Sequence, residues 1–187
     1  MAPSTGLRLG IAHHFGWAVA VTASSDYRVV DRRRIELVEP GMAMAPIHHE
    51  GKPLDDAATA ELVAKVRASS LRATAASLDD LSASLPGPIT SMYLRAWPAD
   101  FPSEIEIQRQ VPYEARADSV MYRQILAELA RLRGWAVHTF DAKDIEVQAA
   151  SKLGDRADEG LLGPRKELGP PWTKDHRIAL AATIVGD

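Results

Sequence analysis

The chain has 187 residues, 46% of them hydrophobic, so it can bury a core of its own and is close to the usual size of one domain. It contains no cysteine, which excludes disulfide bonds, thiolate metal ligands and cysteine nucleophiles. Its formal net charge of −3 has the wrong sign for a protein whose main task is to bind a phosphate backbone by counterion release. We therefore predict a single domain over residues 1–187, in which any metal is bound by His, Asp or Glu.

The N-terminal residues lack the basic start and sustained apolar run of a signal peptide, because Arg8, His13 and His14 interrupt them. No stretch approaches the roughly 18 consecutive apolar residues that a membrane span needs. We expect a cytoplasmic protein that does not bind a membrane.

The first elements are predicted strands, over 7–22 and 27–38, because both segments are rich in β-branched and aromatic residues. Small polar residues at 23–26 favour a hairpin turn between them and hence antiparallel pairing. Phe15 and Gly16 either divide the first segment into two strands or form a bulge within one strand.

Helices and two further strands follow an irregular connection. Asp55 is a suitable N-cap for a long amphipathic helix that ends before Pro86. The later predictions, in chain order, are a buried strand over 89–96, a loop over 97–117, a helix that ends at Gly134, a strand over 135–140, a short helix over 143–152, a loop over 154–172 and a final helix capped by Thr173. This order predicts an α/β fold with a mixed sheet flanked by helices.

The order of elements is that of the ribonuclease H-like fold, and three short stretches resemble the bacterial Holliday-junction resolvase branch of that superfamily. They read LGIAHHFGWAVAV (9–21), WAVHTFDAKDIEVQAASKLGD (135–155) and DHRIALAATI (175–184), and together they cover about a quarter of the chain. The resemblance implies a three-layer fold with an antiparallel N-terminal hairpin. It also implies carboxylates that position two divalent cations on a phosphodiester.

The carboxylates that the resemblance implies are mostly replaced. Ala12 stands at the first aspartate, residues 93–95 contain no acid where the second is expected, and Ile178 stands at the last of the paired terminal acids. Asp175 matches the other terminal acid. We therefore expect no standard two-magnesium site.

Histidines mark the candidate site instead, since five of the six lie beside predicted element ends, next to acidic residues in two cases. The predicted metal ligands are His13, His48, His49, Glu50 and Asp175, and the predicted catalytic residues are Asp175, His176 and His14. Such mixed nitrogen and oxygen ligands suit a divalent metal, Mn, Zn or Mg. Alternate residues of a strand face opposite sides, so at most one of His13 and His14 faces a shared site. Two alternatives stay open: a metal-free acid–base pair of His and carboxylate, and purely structural histidines.

Two functions fit these observations. The first is a metal-dependent hydrolase of phosphoesters or nucleic acid, with Arg95 as a phosphate contact. The second is a non-catalytic ribonuclease H-like interaction or assembly module, with a protein partner or a second copy of the chain. Nucleic acid is a possible partner that the net charge does not favour, so it depends on local basic patches, and no organic cofactor is implied. The candidate patches are the run 31–34 and the set Arg123, Arg131 and Arg133, although most such clusters are solvated faces. The hydrolase requires the histidines and Asp175 to converge, whereas the module does not.

Overall fold

A five-stranded mixed sheet forms the centre of the computed structural model, which describes residues 6–186. Its strands are β1 Leu7–His13, β2 Trp17–Ala23, β3 Val29–Glu36, β4 Ile89–Arg95 and β5 Ala136–Phe140. They lie in the order β3-β2-β1-β4-β5, with the first three antiparallel and β4 and β5 parallel to β1. The predicted mixed sheet with antiparallel N-terminal pairing is confirmed.

Helices cover both faces of this sheet. Those in the described residues are α1 Asp56–Ser84, α2 Ile105–Gln108, α3 Glu114–Leu132, α4 Ile145–Leu153, α5 Ala157–Leu162, α6 Pro164–Leu168 and α7 Lys174–Val185, with a π-helical turn at Pro46–Glu50 and a 3₁₀ turn at Gly154–Arg156. The predicted caps are confirmed: the Asp55 carboxylate accepts a hydrogen bond from the Ala58 N–H at 2.8 Å, and Thr173 forms a capping box with His176. None of the described helices is long and apolar enough to cross a membrane.

Two hydrophobic clusters, one on each face of the sheet, make the three layers. Successive side chains of a strand point to opposite faces, so Leu9 and Ile11 of β1 pack towards α1 and α3. Ala12 packs in the other cluster, which α4, α5 and α7 complete. β1 is therefore covered on both faces, and its carboxyl end lies beside that of β4 in the middle of the sheet.

Gly10 sets the distance between β1 and α7. A Cβ atom at this position would overlap the carbonyl oxygen of Ala179 on α7. The helix backbone therefore lies directly against the strand, which only a residue without a side chain permits.

The first predicted segment is two strands. β1 ends at His13, and a turn brings the chain back as β2, with the His14 N–H donating to the Trp17 carbonyl at 2.8 Å. Gly16 adopts a positive φ of 79°, a conformation that favours glycine. The N-terminal strands thus form a three-stranded meander.

The loop predicted over 154–172 is wrong for most of its length, because α5 and α6 lie within it. Its Gly, Pro and charged residues indicated a loop, but tertiary contacts stabilise helix here. Leu161 is buried, and the Trp172 indole N–H donates to the Leu161 carbonyl at 2.8 Å. The packing of this apolar pair overrides the weak helix propensity of the segment.

Two smaller predictions also need correction. The segment 97–117, predicted as a loop, contains α2 and the first turn of α3. The connection before α1, predicted as irregular, contains the π-helical turn. Short π-helical turns often occur at functional sites, and side chains of α3 bind this one.

Candidate functional site

The carboxyl ends of the parallel strands β1 and β4 bring basic side chains together. His13 ends β1 and Arg95 ends β4. Arg123 reaches them from α3, donating from Nε to His13 Nε2 at 3.3 Å and from Nη1 to the Ala96 carbonyl at 2.9 Å. We call His13, Arg95 and Arg123 the cation cluster.

The His13 imidazole is neutral in the folded protein. Burial lowers its pKa to about 3, with smaller contributions from the positive charges of Arg123, His14 and Arg95. Its Nε2 accepts the Arg123 hydrogen bond, so the proton of the neutral ring is on Nδ1. This ring is therefore an acceptor for Arg123 and not an acid at neutral pH.

Arg123 is half-buried and has no counterion in the part of the chain that the structure describes. Burial and the neighbouring charge of Arg95 lower its pKa to about 10. Within residues 6–186 neither the Arg95 nor the Arg123 guanidinium forms an ion pair. Arg95 is also exposed. The cluster thus presents positive charge at the surface, and no carboxylate of residues 6–186 neutralises it.

His14 and Asp175 are the two predicted site residues that the structure pairs. His14 Nε2 donates to the Asp175 carboxylate at 2.9 Å, and both side chains are partly exposed, by 43% and 32%. The His14 ring stacks on Trp17 with a centroid distance of 4.2 Å. Asp175 lies in the first turn of α7, close to β1 because α7 packs on that strand.

His48, His49 and Glu50 form a different cluster, on the π-helical turn. His48 Nδ1 donates to the Glu114 carboxylate at 2.8 Å, and its ring contacts that of His49 edge-on. Glu50 accepts from the backbone N–H groups of residues 44 and 45, both at 3.2 Å. The contacts of His48 and Glu50 therefore stabilise the π-helical turn.

Asp118 of α3 binds the backbone of the same π-helical turn. It is buried, and its carboxylate accepts the N–H groups of Ile47 at 3.0 Å and His48 at 2.8 Å. Burial is the main cause that raises its pKa, and the two backbone hydrogen bonds oppose this rise. We call His48, Glu50, Glu114 and Asp118 the π-turn cluster.

His176 is a buried capping residue of α7. Its Nδ1 accepts from the Thr173 N–H at 3.2 Å and lies 2.9 Å from the Thr173 hydroxyl. Burial, with the positive charge of Arg32, lowers its pKa. The ring is therefore neutral with its proton on Nε2.

Sequence reasoning missed Glu114 and Asp118, and it considered Arg123 only as part of a basic set with Arg131 and Arg133. A signal existed for Asp118, because it lies among the buried residues of α3 that an amphipathic pattern assigns to the core. A carboxylate on such a face needs hydrogen-bond donors from another element. For Arg123, nothing in the sequence places it beside His13.

Comparison with known proteins supports the fold. No protein-family model and no curated protein matches the chain. Among solved structures, it is similar to RuvC of T. thermophilus in complex with Holliday junction substrate, with a TM-score of 0.51 and 12% identity, over 96% of this chain and 91% of that chain. A second RuvC structure from Thermus thermophilus matches with a TM-score of 0.45 and 11% identity, over 96% and 92%. The chain has a ribonuclease H-like fold.

The metal site that a ribonuclease H-like fold implies does not fit these residues. Ala12 and Ile178, at two expected carboxylate positions, pack in the hydrophobic cluster beneath α7. Arg95 ends the strand on which the second acid is expected. In the part of the chain that the structure describes, no three His, Asp or Glu side chains are grouped to hold a metal. The predicted convergence of His13, His48, His49, Glu50 and Asp175 on one metal is therefore not found there.

Proposed function

We propose that this chain is a non-catalytic ribonuclease H-like module, one domain over its length, that binds a phosphate group of nucleic acid at the cation cluster. The observation that carries the proposal is Arg123, a half-buried cation beside a second cation, Arg95, with no carboxylate of the described residues bound to either.

An anion is the ligand that this arrangement favours. Burial makes the charged form of Arg123 costly, and Arg95 adds repulsion. A bound anion would relieve both effects. Guanidinium groups bind phosphate oxygens in paired, charge-assisted hydrogen bonds, and neutral His13 holds Arg123 in place without competing for the anion.

The local positive charge supports a phosphate ligand although the chain as a whole is acidic. The net charge of −3 disfavours a protein that binds nucleic acid over a wide surface. A small cluster instead predicts few phosphate contacts and moderate dependence of affinity on salt. The likeness to RuvC supports the fold on which such a cluster lies and leaves its ligand to be tested.

Metal-dependent hydrolysis, the other function suggested by the sequence, has weaker support. Two guanidinium groups at this end of the sheet repel a divalent cation, and only Asp175 remains of the carboxylates that the fold implies. No catalytic step is therefore assigned to these residues.

The test is binding of a labelled single-stranded DNA of about 20 nucleotides, of its duplex and of a four-way junction, measured by fluorescence anisotropy. Replacing Arg95→Gln and Arg123→Gln together should weaken binding about a hundredfold, and should lower the salt slope by about 2. The matched control carries Arg116→Gln and Arg131→Gln, two exposed residues of α3, and should bind like the native protein.

Two results contradict the proposal. One is a native protein that binds none of the three DNAs, and the other is a control that loses as much affinity as the test variant. Cleavage of any DNA by native protein with Mg²⁺ or Mn²⁺, lost in Asp175→Asn, would restore the hydrolase hypothesis.

A further inference from the structure

The two edge strands of the sheet, β3 and β5, differ in their protection against pairing with a further strand. An edge strand presents unpaired backbone N–H and C=O groups, and proteins commonly protect such edges with charged side chains or bulges. β3 has both protections: three successive arginines at 32–34, and a register shift against β2 at residues 29–31. Pairing of β3 with another strand is therefore disfavoured.

β5 lacks these protections. Its sequence, AVHTF, contains no Asp, Glu, Lys, Arg or Pro, and valine, threonine and phenylalanine all favour strands. Its register with β4 is regular from Ala136 to Phe140. Ala136 and Thr139 are exposed. This edge is therefore suited to pairing with another strand.

The backbone of β5 shows which groups are available. The Ala96 N–H donates to the Phe140 carbonyl at 2.9 Å, so the backbone groups of Phe140 face β4. These groups alternate between the two sides of a strand, so those of His138 also face β4, whereas those of Val137 and Thr139 face away from the sheet. Within residues 6–186, no hydrogen bond reaches the outward N–H and C=O groups of Val137 and Thr139.

We infer that β5 pairs antiparallel with β5 of a second copy of this chain, about a twofold axis through His138. The axis places Val137 opposite Thr139 of the second copy, and Thr139 opposite Val137 of the second copy. Each of these two pairs exchanges both of its N–H···O bonds, so every outward group of Val137 and Thr139 is satisfied. The strand is thus complementary to itself, and it carries no charge that would repel its copy.

The pairing joins the two sheets into one. β-branched Val137 and Thr139 face each other on one side of the joined sheet, and the two His138 rings are neighbours on the other side. The inference does not depend on the proposed function, but it has a consequence for it. Because the pairing reverses the strand direction, the two cation clusters lie at opposite ends of the joined sheet.

The first experiment measures self-association by analytical ultracentrifugation. An interface of one short strand is small, so we expect a dissociation constant on the order of 10 μM, and native protein should change from monomer to dimer between about 1 and 200 μM. Thr139→Pro removes an outward N–H and leaves the ladder with β4 intact, so it should weaken association about tenfold or more. Thr139→Val keeps the N–H and should associate like native protein. Val30→Lys, on the edge strand β3, should also leave association unchanged.

The second experiment tests the register, since the chain has no cysteine and a single introduced one is a specific probe. His138→Cys places two sulfurs in a pair without hydrogen bonds between its residues, with Cα atoms about 4.5 Å apart, which is within disulfide range. This variant should form a covalent dimer on mild oxidation. Ala136→Cys lies on the same side of the sheet, but its two copies are displaced by four residues, about 13 Å along the strands. It should remain monomeric.

Three results would overturn the inference. They are a native protein that is monomeric over the whole concentration range, dimerisation that persists unchanged in Thr139→Pro, and equal crosslinking of the two cysteine variants. Melting temperatures check that each variant is folded. If Thr139→Pro is unfolded, the comparison of His138→Cys with Ala136→Cys decides.

Discussion

The cation cluster and the π-turn cluster both combine histidine with charged residues and both include side chains of α3, yet their charges are matched very differently. In the π-turn cluster, Asp118 and Glu50 each accept two backbone N–H groups, and Glu114 pairs with His48. In the cation cluster, neither Arg95 nor Arg123 forms an ion pair with a carboxylate of the described residues. Groups that neutralise one another stabilise the fold, whereas unmatched charges at a surface are available to a ligand.

Loss of Asp118 should have the largest effect, and it should be on stability alone. Asp118→Ala leaves two buried backbone N–H groups without an acceptor, so we expect the free energy of unfolding to fall by about 3 kcal/mol. Urea denaturation measures this loss. Asp118→Asn keeps one oxygen acceptor and should lose less. DNA binding by either folded variant should equal that of the native protein, and a large loss of affinity would remove the distinction between the two clusters.

His13 should make stability fall in mild acid. The unfolded imidazole takes up a proton below about pH 6.5, whereas the folded one resists protonation down to about pH 3. The stability that neutral His13 contributes is therefore fully present above about pH 6.5. It is lost as the pH falls, and the free energy of unfolding should decrease by about 2 kcal/mol between pH 7 and pH 5. Denaturant titrations at both values should show a smaller loss in His13→Asn. His49→Asn, which changes an exposed ring of the other region, should retain the native pH dependence, and identical profiles in all three proteins would refute a buried, neutral His13.

Asp175 should weaken anion binding. Its negative charge lies next to the cation cluster through His14, so Asp175→Asn should raise affinity for single-stranded DNA about threefold. Anisotropy at low salt measures the change, with Asp80→Asn on α1 as the exposed control of equal charge. An equal or lower affinity in Asp175→Asn would contradict this prediction, whereas a metal-dependent hydrolase would lose DNA cleavage in this variant because it requires Asp175 as a ligand.

His48→Gln should have the smallest effect. Its partner Glu114 and the ring itself are each about 30% exposed, and such ion pairs contribute about 0.5 kcal/mol. The free energy of unfolding should fall by that amount, with DNA binding unchanged. A fall of several kcal/mol would place His48 among the residues that determine the turn.

Most of the fold could be predicted from the sequence because its signals are local. The caps Asp55 and Thr173 and the alternation of the first strands lie within a few residues of the elements they define. The site depends on distant contacts instead: Arg123 is 110 residues from His13, and Asp118 is 71 residues from Ile47. The pair His48 and His49 suggested metal ligands, but only the packing of α3 shows that His48 is already bound.

Gly10 explains how the side chains of the candidate site can differ so much from the carboxylates that a ribonuclease H-like fold implies. The close approach of β1 and α7 depends on the absence of a side chain at residue 10, which lies in β1 before His13 of the cation cluster. The positions of β1 and α7 are thus fixed independently of the side chains at the candidate site. The positions at which the fold implies acids can hold Ala12, Ile178 and, at the end of β4, Arg95 while α7 keeps its place, so the architecture tolerates the loss of those negative charges.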